Sequence, residues 1–115
     1  MAITGAHVLI NTSEPEALRA VFRDVFGMDH VDAGGGWLIF NLPPAELGVH
    51  PSGGQTDHAL SFMCDDIDET MAELKAKGIT FLHEPTNAGF GIETMMELPG
   101  GVTVQLYQPR HPTAI

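Results

Sequence analysis

The chain has 115 residues, of which 43% are hydrophobic and 17% are charged. This profile predicts one compact domain spanning residues 1–115. Fifteen acidic residues against five basic ones give a formal net charge of −10, which argues against nucleic acid and anionic membrane surfaces as partners. The N-terminus lacks the basic flank and apolar core of a secretory signal, and no stretch approaches the roughly 18 apolar residues of a membrane span. The sequence therefore predicts a cytoplasmic protein.

The sequence of the first half predicts one strand, then one helix, then three strands. Residues 6–10 form an apolar run typical of a strand. Ser13 and Glu16 have the spacing of a capping box around Pro15, which predicts the start of a helix. That helix should bury a common face and end at a glycine, and short strands should follow at 30–32, 37–41 and 46–50. The buried face comprises Leu18, Phe22 and Val25, and the helix ends at Gly27.

The second half repeats this plan. Residues 57–62 predict a strand, Asp65 and Asp66 precede a helix, and strands follow at 80–83, 92–96 and 102–107. Ile67, Met71 and Leu74 share the face of this helix, and Gly78 closes it. The offset between the halves is 51 residues, both from His7 to His58 and from Gly27 to Gly78. We therefore predict two βαβββ modules, at 3–50 and 57–108.

Strand alternation divides the predicted side chains between two faces of the sheet. Val102, Val104 and Leu106 should pack under a helix. The opposite face should carry His7, His50 and Gln105 and, by the repeat, His58.

The repeat resembles the vicinal oxygen chelate superfamily, which includes glyoxalase I, bleomycin-resistance proteins and extradiol dioxygenases. The segments that carry the resemblance are 5–8, 22–28, 57–58 and 97–107. The resemblance implies an α+β fold in which two βαβββ repeats form a curved mixed sheet around a cavity, with the helices on the outer face. It also implies a homodimer that takes a small-molecule ligand or substrate.

In metal-dependent members of this superfamily, the first and last strands of each half supply the ligands. The corresponding positions are His7, His50, His58 and Gln105. Three imidazoles and an amide oxygen are compatible with a divalent ion such as Zn, Ni, Fe or Mn. The superfamily usually has a glutamate where Gln105 stands, and an amide can neither neutralise the ion nor act as a base. This departure makes a ring-cleaving dioxygenase the weaker of the enzymatic hypotheses.

The remaining candidates have both functional and structural interpretations. Glu46 and Glu93 are candidates for moving a proton in catalysis, or are simply exposed acids. Trp37, Phe62 and Tyr107 are candidates for a ligand pocket, or are core residues. His30, His83 and His111 fall in predicted turns or in the tail, where solvated imidazoles are expected, and the single cysteine, Cys64, is interpreted as a packed thiol.

Two hypotheses of function follow. One is a metal-dependent lyase or isomerase of the glyoxalase type, with a dioxygenase-like enzyme as a variant. The other is a protein that binds and sequesters a small molecule without chemistry, as bleomycin-resistance proteins do. A role as a plain interaction module stays open because a fold does not fix a function.

Overall fold

The structure is a computed structural model, and it describes residues 3–115. Helix α1 (Pro15–Ala20) continues into a π turn (Val21–Val25), and strands β1 (His30–Asp32) and β2 (Leu38–Phe40) follow. The second half contains β3 (Ser61–Met63), α2 (Ile67–Ala76), β4 (Thr80–Phe81), β5 (Thr86–Asn87) and β6 (Gly91–Leu98). A 3-10 turn (Pro99–Gly101) then leads into β7 (Val102–Pro109).

The strands form two sheets. β1 and β2 pair as an antiparallel ribbon, while the larger sheet has the order β3-β7-β6-β4, with β5 also paired to β6. β3 runs parallel to β7, and the other pairs in this sheet are antiparallel. The predicted α+β class with a mixed sheet is therefore confirmed.

Both helices cover the same face of the larger sheet. Leu18 and Phe22 of α1 join Ile67 and Met71 of α2 in one buried cluster with side chains of β6 and β7. The strand residues in this cluster are Met96, Leu98, Val104 and Leu106. The prediction that Val104 and Leu106 face a helix is confirmed, and burial of this apolar surface is the main stabilising term of the fold.

The second helix begins and ends where its sequence signals indicate. Asp66 is the N-cap, and its carboxylate accepts a hydrogen bond from the amide of Glu69 at 3.0 Å. Gly78 has a φ of 94°, the left-handed conformation that commonly ends a helix. The side chain of Gln108 on β7 adds a contact from a distant part of the chain, accepting a hydrogen bond from the Ile67 amide at 3.0 Å.

The capping box predicted for the first helix is wrong. The N-cap is Glu14, not Ser13, and no side chain caps the helix. The Glu14 carboxylate instead accepts a hydrogen bond at 2.8 Å from the amide of Gly100, in the turn between β6 and β7. A contact between distant parts of the chain has displaced the local one.

A π turn shifts the register of the repeat by one residue. The N-caps Glu14 and Asp66 are 52 positions apart, whereas the closing glycines Gly27 and Gly78 are 51 apart. The first helical stretch therefore has one extra residue, and a wide π turn accommodates such an insertion. Residues before the two helices consequently correspond at an offset of 52, not 51.

The strands predicted at 6–10 and 46–50 are not formed in the described chain. Neither segment has a ladder partner, and the apolar side chains of Leu47 and Val49 are 92% and 93% exposed. An alternating pattern predicts a strand, but a strand also needs a neighbour to accept its backbone hydrogen bonds.

Candidate functional site

A cavity of about 630 Å³ lies in the first half of the molecule. Two irregular segments, 6–12 and 37–43, and helix α1 form most of its wall. Its aromatic side chains are Phe22, Trp37 and Phe40. The volume falls within the range of about 300–1,000 Å³ typical of small-molecule sites.

In the first half, the cavity occupies the position that strand β7 occupies in the second half. In the larger sheet β7 lies between β3 and β6. The repeat matches residues 6–12 to the β3 region and β2 to β6, and these two counterparts flank the cavity. The counterpart of β7 is the segment 46–50, which is exposed and pairs with neither. The open space is thus a consequence of an unfilled strand position.

The polar part of the cavity wall is rich in hydrogen-bond donors. It comprises the side chains of His7, Asn11, Thr12, Arg19 and Asn41. Among the described residues 3–115, no aspartate or glutamate lines the cavity, although the chain has 15 acidic residues. Sequence analysis identified His7 and Trp37 as site residues but missed Arg19, Phe22 and Asn41.

A second group of predicted site residues shares the face of the larger sheet that the helices leave uncovered. Glu93 of β6 pairs with Tyr107 of β7, and Gln105 pairs with Ser61 of β3. Paired residues point to the same side of a sheet. Three of the predicted residues, Glu93, Gln105 and Tyr107, are therefore neighbours on one face, but none of them lines the cavity.

The two candidate catalytic acids are both engaged by other groups. The Glu46 carboxylate accepts a hydrogen bond from the Ala114 amide at 2.8 Å. Glu93 accepts a hydrogen bond from the Thr86 hydroxyl at 2.7 Å, and its other oxygen lies 3.6 Å from Nε2 of His83. These contacts hold the tail and the β4–β5 turn in place.

Two histidines expected to be solvated make defined contacts. Nδ1 of His83 donates to the Glu84 carbonyl at 2.8 Å, which turns Nε2 towards Glu93. Nε2 of His111 lies 3.0 Å from the Tyr107 hydroxyl, while its Nδ1 donates to the Pro112 carbonyl at 2.8 Å. With Nδ1 carrying the proton in the neutral ring, Nε2 accepts from the phenol.

Burial raises the pKa of Tyr107, and the nearby negative charge of Glu46 raises it further. The phenol is therefore held in its protonated form and acts as a hydrogen-bond donor to His111.

The predicted metal ligands His50 and Gln105 have hydrogen-bond partners of their own. Among residues 3–115, no group of three or more His, Cys, Asp or Glu side chains is placed to hold a metal ion. Nδ1 of His50 donates to the Pro51 carbonyl at 2.7 Å, and the amide oxygen of Gln105 accepts from the Ser61 hydroxyl at 3.1 Å. His50 and Gln105 thus have other hydrogen-bond partners, and a metal site at the four positions stays a prediction.

The one-residue shift of the repeat separates His58 from His7. His7 is seven positions before its helix cap, Glu14, whereas His58 is eight before Asp66. The structural counterpart of His7 is therefore Ala59. His58 is exposed and lies in the segment before β3, outside the strand that carries Ser61 beside Gln105.

Phe62, predicted as a pocket residue, lies in the core. Its ring packs edge-to-face on Phe22 and Phe26, with centroids at 6.4 and 5.7 Å. Cys64 packs beside the same cluster, and burial raises the pKa of its thiol.

No helix within residues 3–115 is long and apolar enough to cross a membrane.

Comparison with known proteins identifies the family. The model of the Glyoxalase/Bleomycin resistance protein/Dioxygenase superfamily matches residues 5–106. The chain belongs to this superfamily. No curated protein matches the sequence.

Several solved structures have a similar fold. The antibiotic-binding protein TnmS3 from Streptomyces sp. CB03234 is 24% identical over 95% of this chain and 98% of its own, with a TM-score of 0.68. Lactoylglutathione lyase from Agrobacterium tumefaciens is 20% identical over 91% and 92%, with a TM-score of 0.65. A superfamily member from Sphaerobacter thermophilus is 22% identical over 94% and 99%, with a TM-score of 0.64. These proteins differ in function, so the likeness indicates the fold alone.

Proposed function

We propose that this member of the superfamily binds a small aromatic molecule in the cavity of its first half without converting it. The observation that carries the proposal is the cavity of about 630 Å³ with Trp37, Phe22 and Phe40 in its wall. Large flat side chains supply most of the contact area for an aromatic ligand. The likeness to an antibiotic-binding protein is in line with this function.

The cavity wall offers no group suited to covalent or acid–base catalysis beyond His7. Neither Glu46 nor Glu93 lines it, and the thiol of Cys64 lies elsewhere. A binding protein needs shape and a few polar contacts, and the cavity supplies both.

Thermal shift measurements with a panel of aromatic compounds test the proposal. A ligand at 100 times its Kd stabilises the folded state by about 2.7 kcal/mol, which raises Tm by several degrees for a chain of this size. The effect should disappear in Trp37→Ala. Phe90→Ala is the matched control, because Phe90 is also an exposed aromatic residue but does not line the cavity. Equal ligand responses in the two variants would overturn the proposal.

The competing hypothesis is a metal-dependent lyase, in line with the likeness to a lactoylglutathione lyase. Protein freed of metal with a chelator and then supplied with Zn or Ni separates the two. If the metal produces stoichiometric binding and turnover of lactoylglutathione, the lyase hypothesis replaces the binding proposal. Ligand binding that is equal with and without metal favours sequestration.

We further propose that the protein acts as a homodimer. The accessible surface is 8154 Å², whereas a compact monomer of 12.3 kDa exposes about 6,100 Å². The radius of gyration is 15.1 Å, against about 13 Å for a compact chain of this length. The excess of about 2,000 Å² per chain is the scale of an obligate dimer interface. A second copy covering the segments 3–9 and 45–50 would remove it.

A further inference from the structure

The charge of the cavity wall is opposite to that of the whole chain. The chain carries a formal charge of −10, yet the part of it that the structure describes lines the cavity with one arginine and no acidic residue. Long-range attraction of cations by the molecule and recognition inside the cavity therefore favour different ligands.

Arg19 is the charged group of this wall. It follows the buried Leu18 on α1, and it is half-buried at the cavity. The other arginine of the same helical stretch, Arg23, forms an ion pair with Asp24, in which Nε lies 2.7 Å from Oδ1. Within residues 3–115 no carboxylate lies within 4.0 Å of the Arg19 guanidinium.

The other polar side chains of the wall also favour a ligand with an anionic oxygen group. The amides of Asn11 and Asn41 and the imidazole of His7 can each donate a hydrogen bond to an oxygen of the ligand. A ligand cation would find no carboxylate there to pair with. A guanidinium partly shielded from water binds a carboxylate or a phenolate more strongly than it does at an open surface.

We infer that the ligand is a planar aromatic molecule that carries an anionic oxygen group, such as an aromatic carboxylate, and that Arg19 binds this group. The inference rests on the proposed binding function and adds the chemical class of the ligand. The rings of Trp37 and Phe40 would hold the aromatic body, and Arg19 would hold the oxygen group at the helix side of the cavity.

Three probes of nearly equal shape test the inference: 2-naphthoate, 2-naphthylmethanol and 2-naphthylmethylammonium. Binding is followed by the NMR signal of the indole N–H, since Trp37 is the only tryptophan in the chain. An ionic strength of about 0.15 M limits the long-range field of the acidic surface to about 8 Å. We expect naphthoate to bind about tenfold more tightly than the ammonium probe.

Variants assign the effect to one residue. Arg19→Gln should weaken naphthoate binding about tenfold and change naphthylmethanol binding less than about twofold. Arg19→Lys should lie between, because it keeps the charge and loses the planar fork. Arg110→Gln, which removes an arginine outside the cavity wall, should have no effect. Circular dichroism of each variant establishes that it is folded.

The outcomes separate the inference from the proposed function. If the ammonium probe binds as tightly as naphthoate, or if Arg19→Gln weakens all three probes equally, the ligand class is wrong and the binding function stands. If no probe shifts the indole signal or raises Tm, the cavity is not an aromatic-binding site and both proposals fail.

Discussion

At the scale of single residues, Tyr107 provides a direct measure of the charge around the uncovered sheet face. It is the only tyrosine in the chain, so the alkaline change in absorbance near 295 nm reports its ionisation alone. Burial, followed by the charge of Glu46, raises the pKa of its phenol.

The predicted titration midpoint of Tyr107 therefore lies above the ordinary value of a tyrosine, and Glu46→Gln should lower it. It should not return fully to the ordinary value, because burial is the larger cause and remains. Glu73→Gln on α2, whose carboxylate pairs with Lys77, is the control and should leave the midpoint unchanged. An unaltered midpoint in Glu46→Gln would show that the carboxylate is not close to the phenol.

A second residue, Gly100, joins the two halves of the molecule. Its φ is 80°, a methyl group at its Cα would overlap the Thr12 hydroxyl, and its amide donates to Glu14. Gly100→Ala should therefore lower the free energy of unfolding by about 2 kcal/mol.

Urea unfolding of this variant measures the loss. Gly53→Ala is the matched control, since Gly53 has open space around it and no left-handed φ. Its unfolding free energy should stay within about 0.5 kcal/mol of the wild type. Equal midpoints for the two variants would contradict the close contact with Thr12.

The position of a side chain could be predicted from the sequence where it depends on residues nearby in the chain. His7 and Trp37, both named as candidates from the sequence, line the cavity and lie on or beside segments with an extended pattern. The contacts of His83 with Glu93 and of His111 with Tyr107 were not, because each depends on how a turn or the tail folds back on the sheet.

At the scale of elements, the two helix starts provide a matched comparison. Asp66 caps α2 with its side chain, whereas Ser13 does not cap α1. Asp66→Ala should lower the free energy of unfolding by about 1 kcal/mol, and Ser13→Ala should change it by less than about 0.5 kcal/mol. Both changes are measured from the midpoints of urea unfolding curves, provided that the dependence of the unfolding free energy on urea concentration is the same for all variants. A larger loss in Ser13→Ala than in Asp66→Ala would reverse the assignment of the caps.

The elements that sequence predicts well are those with local signals at both ends. Helix α2 has an N-cap, an apolar face and a closing glycine, and strands β6 and β7 share a tight turn. The segments 6–10 and 46–50 alternate in the same way as β7, but their state depends on a partner strand that the pattern does not specify. The offset of 51 residues between Gly27 and Gly78 likewise does not indicate the one-residue shift at the π turn. That shift moves His58 out of register with His7.

At the scale of the whole molecule, the exposed apolar segments are the contact surface of the proposed homodimer. Leu47 and Val49 are almost fully exposed, and two charges placed there would have to be desolvated in any contact with a second copy. The double variant Leu47→Glu, Val49→Glu should therefore sediment as a monomer of about 12.3 kDa, while the wild type sediments at twice that mass.

Leu82→Glu is the matched control for this experiment, since Leu82 is half-exposed, follows β4 in the chain and belongs to neither segment. It should remain dimeric. Near-ultraviolet circular dichroism from Trp37 checks that the double variant keeps its fold. A wild-type protein that sediments as a monomer at every concentration, or a double variant that stays dimeric, would rule out these segments as the dimer interface. In a dimer that covers 45–50, the second copy also borders the cavity at Ala45, so ligand binding and dimerisation should strengthen each other.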